Sequence, residues 1–336
     1  MSKRIPYWDN VKFFLMLLVV IGHFMPNDTE KLLIAYRFIY IFHMPVFLFV
    51  AGIFSRLETI TVKKRVSGLI ILGTVSNVVW FLLNNYLFFE STKKFYVTDF
   101  YVFRAISIPW FCFSLAICTA LAYFMKNIKW QVVIFISLSV GLFSSYDALI
   151  MQSITLGKTA SWFVYFYAGT LLSKYREDIA QFAGRPYVKV IAFFAFAVCV
   201  IAVYVTRNNE IFSILRSSGT FTASVRGVSW GEKSIAYIVT TIVSIVFLLA
   251  VPTHPIKLVT KCGRSTLQVY FWHMIVRTVV FYFGWNKQLC KSTVGTIAYF
   301  LIIIMIDILL SLPIFRFPTE QLIDVYKGKE LKEASE

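Results

Sequence analysis

The sequence predicts an all-α, polytopic integral membrane protein of about ten transmembrane helices, with both the N- and C-termini cytoplasmic. Three observations carry that prediction. Hydrophobic residues make up 58% of the 336 and charged residues 15%, with a mean hydropathy of +0.72; a soluble domain carries nearer a quarter charged residues. Apolar stretches of about 17–22 residues, the length that spans a bilayer, recur along the whole chain. Lys and Arg are denser on alternate connections, including Lys3, Arg4, Arg56, Lys63, Lys64 and Arg65, which places those connections inside.

The first stretch, 7–25, carries Asp9, Lys12 and His23. It reads as a retained span, because bulky Phe24-Met25-Pro26 stands where a leader would need small residues for cleavage. The second, 36–55, enters from the outside with Arg37 and holds Tyr40, His43 and Pro45. The third, fourth and fifth, 66–89, 108–125 and 130–148, are nearly continuous apolar runs, the fourth opening on Pro109-Trp110. The sixth, 159–173, is short and reads as tilted or partly buried. The seventh, 189–206, precedes a Ser/Gly-rich connection over 207–233, a length that marks functional or irregular loops. The eighth is 234–251. The ninth, 265–284, contains His273 and Arg277, and the tenth, 293–313, contains Asp307. Residues 1–316 thus form one membrane domain, and 317–336 a charged cytoplasmic tail.

The net charge of +16 reads as topology and attraction to membrane lipids, not as a nucleic-acid footprint, because no soluble domain presents a basic face. Five cysteines show no paired spacing and serve as apolar filler; no metal is expected. The 34 phenylalanines suit lipid-facing helices better than a water-filled channel, and no internal repeat is visible.

The chemistry concentrates in the first, second and ninth spans. An ionisable group at mid-membrane costs roughly 3 kcal/mol or more and is a functional candidate by default. Lys12 and His23 are eleven residues apart, which sets them about 20° apart around a helix and about 16 Å apart along it. One stripe therefore joins a basic residue near the membrane face to a proton-transfer group deep within it. Asp9 and Lys12, three apart, pair on the first turn; the plain alternative is a snorkelling lysine with its counter-ion. Arg37 enters near the depth of His23, and His43 lies roughly 9 Å further in. A neutral imidazole is a natural general base for a hydroxyl. His273 and Arg277 share a face of the ninth helix, and a structural pair of Arg277 with Asp307 is expected there.

Trp8-Asp9-Asn10-Val11-Lys12 with His23, followed by Phe42-His43-Met44-Pro45-Val46-Phe47-Leu48-Phe49-Val50-Ala51-Gly52, resembles the membrane acyltransferase-3 family, and within it the fucose 4-O-acetylase-like acetyltransferases. Pro109-Trp110-Phe111, the segment from Trp162 to Gly169 and the segment from Gly263 to His273 are similar to further stretches of that branch. The resemblance covers roughly residues 4–313. It implies transfer of an acyl group, commonly acetyl from acetyl-CoA as donor substrate, to a hydroxyl of a cell-surface glycan or its lipid-linked precursor in a bacterial plasma membrane. It also implies a basic residue, ten residues, then histidine as the functional signature, which falls on Lys12 and His23. Relatives more often carry arginine at the first position, and lysine keeps the charge without the bidentate geometry. Many relatives carry a further soluble domain; this chain is read without one. On this reading His23, His43 and Arg37 are catalytic candidates, and Lys12, Arg4, Asp9, Trp110 and His273 are substrate-binding candidates. A homodimer is left open. The rival expectations are a transporter or flippase for a lipid-linked saccharide, and a pH-responsive interaction protein.

Overall fold

The computed structural model describes residues 4–25, 30–92, 109–144, 153–206 and 230–321. Regular structure among these residues is entirely helical: α1 (Pro6–Phe24), α2 (Glu30–Ile53), α3 (Thr59–Thr92), α4 (Pro109–Phe124), α5 (Trp130–Phe143), α6 (Ile154–Leu172), α7 (Arg176–Ala183), α8 (Pro186–Thr206), α9 (Trp230–Ala250), α10 (Lys257–Cys262), α11 (Thr266–Tyr282), α12 (Trp285–Leu289) and α13 (Thr293–Leu310). Over its described residues, each of the ten apolar stretches coincides largely with a helix. Six of these, α1, α2, α3, α8, α9 and α13, are long and apolar enough to cross a membrane. Most of the 207–233 connection and the tail beyond residue 321 lie outside the described residues.

Several boundaries differ from the hydropathy reading for local reasons. Helix α3 begins at Thr59, before Lys63, Lys64 and Arg65, because lysine and arginine favour helix and the exposed Lys63 extends its charged end toward water. Helix α6 begins at Ile154 and is longer than expected. Its N-cap is Ser153, whose hydroxyl accepts a hydrogen bond from the Leu156 amide at 3.3 Å.

Burial places α1 at the centre. Of the six long apolar helices it is the least apolar and the most buried, whereas α8 is the most apolar and the most exposed. In α8, Phe193, Phe194, Val198 and Ile201 face outward. A membrane solvates apolar side chains, so the outermost helix carries them and the polar residues retreat to the middle. Helix α1 packs against α2, α10, α11 and α13, and contributes to two apolar clusters, one around Val19, Val20 and Phe24 and one around Tyr7, Trp8 and Leu15.

Polar side chains anchor the start of α1. Tyr7 donates to the Leu248 carbonyl at 2.8 Å, and the Trp8 indole to the Arg176 carbonyl at 3.1 Å. The Asn10 amide donates to the Pro252 and His254 carbonyls, both at 2.9 Å, and accepts from Thr260 Oγ1 at 2.7 Å. The opening motif is therefore largely a scaffold device. Tyr7 and Asn10 collect carbonyls freed around the end of α9, which would otherwise lack partners. Gly52 and Gly169 form the crossing of α2 and α6. A Cβ on Gly52 would run into the Phe166 carbonyl, and one on Gly169 into the Phe49 carbonyl; small residues allow such close approach between membrane helices.

Candidate active site

Lys12, Val19 and His23 lie at i, i+7 and i+11 of α1 and form one wall of a cavity of about 250 Å³. Met44, Phe47 and Ala51 of α2, with Phe54 in the turn that follows it, form a second wall. Trp110 and Phe111 of α4, Arg65 of α3 and Tyr270 of α11 complete it. Apart from Lys12, Arg65 and His23, the lining is almost wholly apolar. Beside it, on the face where α1 begins, lies a wider polar cavity of about 840 Å³ bordered by Arg4, Asp9, Arg56, Lys174 and Arg176. Lys12 and Phe54 line both cavities. The stripe drawn from helical arithmetic thus follows a real cavity wall, from a polar basin at one face to His23 in the last turn of α1.

The basin is organised by one carboxylate. Arg4 grips Asp9 with two hydrogen bonds, Nε to Oδ2 at 2.7 Å and Nη2 to Oδ1 at 3.0 Å. Lys12 Nζ lies 2.8 Å from Oδ1, and Arg264 Nε 3.5 Å from Oδ2. The bonds to Asp9 raise the pKa of the Arg4 guanidinium, holding it cationic. Three cations converge on one anion, so the cluster keeps an excess of positive charge. Gly263 lets the α10–α11 connection reach this cluster, since a Cβ there would collide with the Asp9 carbonyl.

The deep end is tied by α11 and α13. Arg277 Nε donates to the His23 carbonyl at 2.8 Å, and Tyr299 donates to the Phe24 carbonyl at 2.8 Å. Both carbonyls belong to the last turn of α1, which has no intrahelical donors for them. This corrects the expected Arg277–Asp307 pair. Helices α11 and α13 run antiparallel, and Gln268 bonds the Leu310 carbonyl at 2.7 Å. Asp307 therefore lies toward the opposite end of the bundle from Arg277, within electrostatic reach of Cys262. Its Oδ1 has no hydrogen-bond partner among the described residues.

The remaining candidates separate into two groups. Trp110 lines the cavity, with the Lys158 ammonium 4.5 Å above its ring. Arg4 and Asp9 border the polar basin. Arg37 and His43 are buried and are not among the described residues lining either cavity. His43 Nδ1 is 2.7 Å from the Ile39 carbonyl oxygen, and its ring lies edge-on to Tyr40 at 4.8 Å. His273 lies behind the wall instead of lining it. It is fully buried, with Nδ1 3.0 Å from the Val269 carbonyl oxygen and its ring 5.4 Å from that of His23. Tyr270, one turn earlier, takes the lining position expected of it.

Arg65 is the principal residue that sequence reasoning left out. The sequence shows it only as a topology charge, yet Nη2 donates to the Ala51 carbonyl at 3.1 Å and the side chain turns into the cavity. Among the described residues, no group of three His, Cys, Asp or Glu could hold a metal ion.

No curated protein and no solved structure gives a significant match to the chain. The family model for the acyltransferase-3 acyltransferase domain matches residues 5–316, from the extended residue before α1 to the end of the helical bundle. The central helix with its cavity, the long apolar helices around it and this match together make the chain a multi-pass membrane protein belonging to the acyltransferase-3 family.

Proposed function

We propose that the protein transfers an acetyl group from acetyl-CoA to a hydroxyl of a bacterial cell-surface glycan or its lipid-linked precursor, in the manner of the fucose 4-O-acetylase-like branch. The observation that supports this reading best is the cavity joining Lys12 to His23. Its basic mouth suits the phosphates of CoA, and its apolar shaft suits the pantetheine arm. The axial distance of about 16 Å between the two residues is one an extended arm can span.

In this reading Lys12, Arg4 and Arg65 hold the donor from the cytoplasmic side, with Asp9 keeping the cations together. His23 takes the proton from the acceptor hydroxyl. The hydroxyl oxygen attacks the thioester carbonyl carbon, the carbon–sulfur bond breaks, and the proton on His23 passes to the leaving thiolate. The products are the O-acetyl ester and CoA. Trp110 and Lys158 border the far end of the shaft, where the acceptor would enter. Arg37 and His43, buried away from both cavities, carry no step in this scheme. Membership of an acyltransferase family removes the reason for pursuing the flippase reading.

The test is purified protein in lipid nanodiscs, supplied with radiolabelled acetyl-CoA and bacterial lipid-linked saccharides. Label on the saccharide with release of CoA is expected. Release of neither, across donors of different acyl length, would refute the reading.

A further inference from the structure

We propose that His273 is a positioning residue for His23, presenting a fixed hydrogen-bond acceptor that selects which nitrogen of His23 faces the cavity. The inference rests on the proposed role of His23 as general base and adds the group that sets its tautomer.

A carbonyl oxygen can only accept. The 3.0 Å contact between His273 Nδ1 and the Val269 oxygen therefore puts the proton on Nδ1. In the neutral imidazole, Nε2 then carries a lone pair. That nitrogen is fully buried and has no hydrogen-bond partner among the described residues. Buried acceptors are normally satisfied, and an exception calls for a functional explanation. The ring of His23 lies 5.4 Å away, tilted by 45°.

His23 is the free member of the set. The His43 ring is locked to the carbonyl four residues before it, as that of His273 is. The His23 side chain has no hydrogen bond among the described residues, while its backbone carbonyl is held by Arg277. Its ring can therefore turn on a fixed main chain. Donation of one N–H from His23 to His273 Nε2 leaves the other nitrogen of His23 as a lone pair toward the cavity, ready to take the hydroxyl proton. After that transfer His23 carries a proton on both nitrogens, and His273 continues to accept from one of them. No proton leaves the pair. The logic is that of the orienting group in a catalytic triad, with a neutral acceptor in place of a carboxylate.

The experiment uses the full-length protein in nanodiscs with 15N-histidine, as wild type, His273→Leu and His273→Gln. Glutamine keeps an acceptor oxygen near the position of Nε2, and leucine keeps bulk alone. In the wild type, His273 should carry its proton on Nδ1, and His23 should show one tautomer. In His273→Leu the His23 tautomers should mix, and kcat should fall by about 100-fold with KM for acetyl-CoA unchanged. His273→Gln should recover most of the loss. A wild-type His273 protonated on Nε2 overturns the proposal even if neither variant folds. An unchanged His23 tautomer in His273→Leu, or glutamine performing no better than leucine, overturns it as well. Should the wild type transfer no acetyl group, the proposed function fails, while the nitrogen spectra still decide the role of His273.

Discussion

Replacing Arg277 by Met tests how the deep end of the site is built. The substitution keeps an unbranched apolar stem and removes the guanidinium. It deletes the 2.8 Å bond to the His23 carbonyl, and interhelical hydrogen bonds in membranes are worth about 1–2 kcal/mol at the strong end. It also removes the guanidinium 4.1 Å above the Phe281 ring, a contact worth about 0.5–2 kcal/mol. The sum is roughly 1.5–4 kcal/mol, and a carbonyl at the end of α1 left buried without a donor favours the upper part of that range. Asp307→Asn, in contrast, removes no hydrogen bond to Oδ1 among the described residues and should cost less than about 1 kcal/mol. The assay is denaturant or thermal unfolding in one detergent, on both single variants and the double variant. The two effects should add to within about 0.5 kcal/mol, as they do for separated sites. A coupling energy above about 1 kcal/mol between the two positions would restore the ion pair that the geometry rejects. Acyl transfer on the same Arg277→Met sample should also fall, because the main chain carrying His23 is no longer held.

Three further substitutions probe the site and its frame. His23→Ala should lower acyl transfer by about 100-fold or more with little change in unfolding midpoint, since that side chain has no hydrogen bond among the described residues; near-normal turnover would transfer the base role elsewhere. Lys12→Ala should raise KM for acetyl-CoA by about 10- to 100-fold, from the roughly 1.5–3 kcal/mol of a charged contact, and leave acceptor affinity unchanged; equal CoA binding by variant and wild type would reduce Lys12 to a snorkelling partner of Asp9. Gly52→Val should cost about 1–3 kcal/mol or more, as overpacking does, because its side chain meets the Phe166 carbonyl; a stable variant with unchanged unfolding would mean the two helices do not cross so closely.

What the sequence discloses here depends on whether a property belongs to one helix or to two. The Lys12–His23 stripe is a property of α1 alone, and helical arithmetic places both residues on one cavity wall. Arg277 and Asp307 lie on different helices, and hydropathy does not report their relative depth; the register follows from Gln268 reaching Leu310 and Tyr299 reaching Phe24. Arg65 was legible only as a charge, because its direction depends on the Ala51 carbonyl that receives it. The roles of Trp8 and Asn10 were hidden for a similar reason, since their partners are backbone carbonyls at Arg176, Pro252 and His254 that no side-chain pattern announces. His273 carried its signal in the sequence as a histidine deep in an apolar span. Its place behind His23, instead of on the cavity surface, is a packing outcome of α11 against α1.

The central claim is that the shaft from Lys12 to His23 receives the acyl donor, and an electron cryomicroscopy map of the protein with bound CoA tests it most directly. Phosphate density is expected in the basin beside Arg4 and Lys12, with a pantetheine arm between α1 and α2 and the thiol sulfur beside the His23 ring. CoA density confined to another surface, or a thiol directed away from His23 with the shaft still closed by its apolar lining, would contradict it.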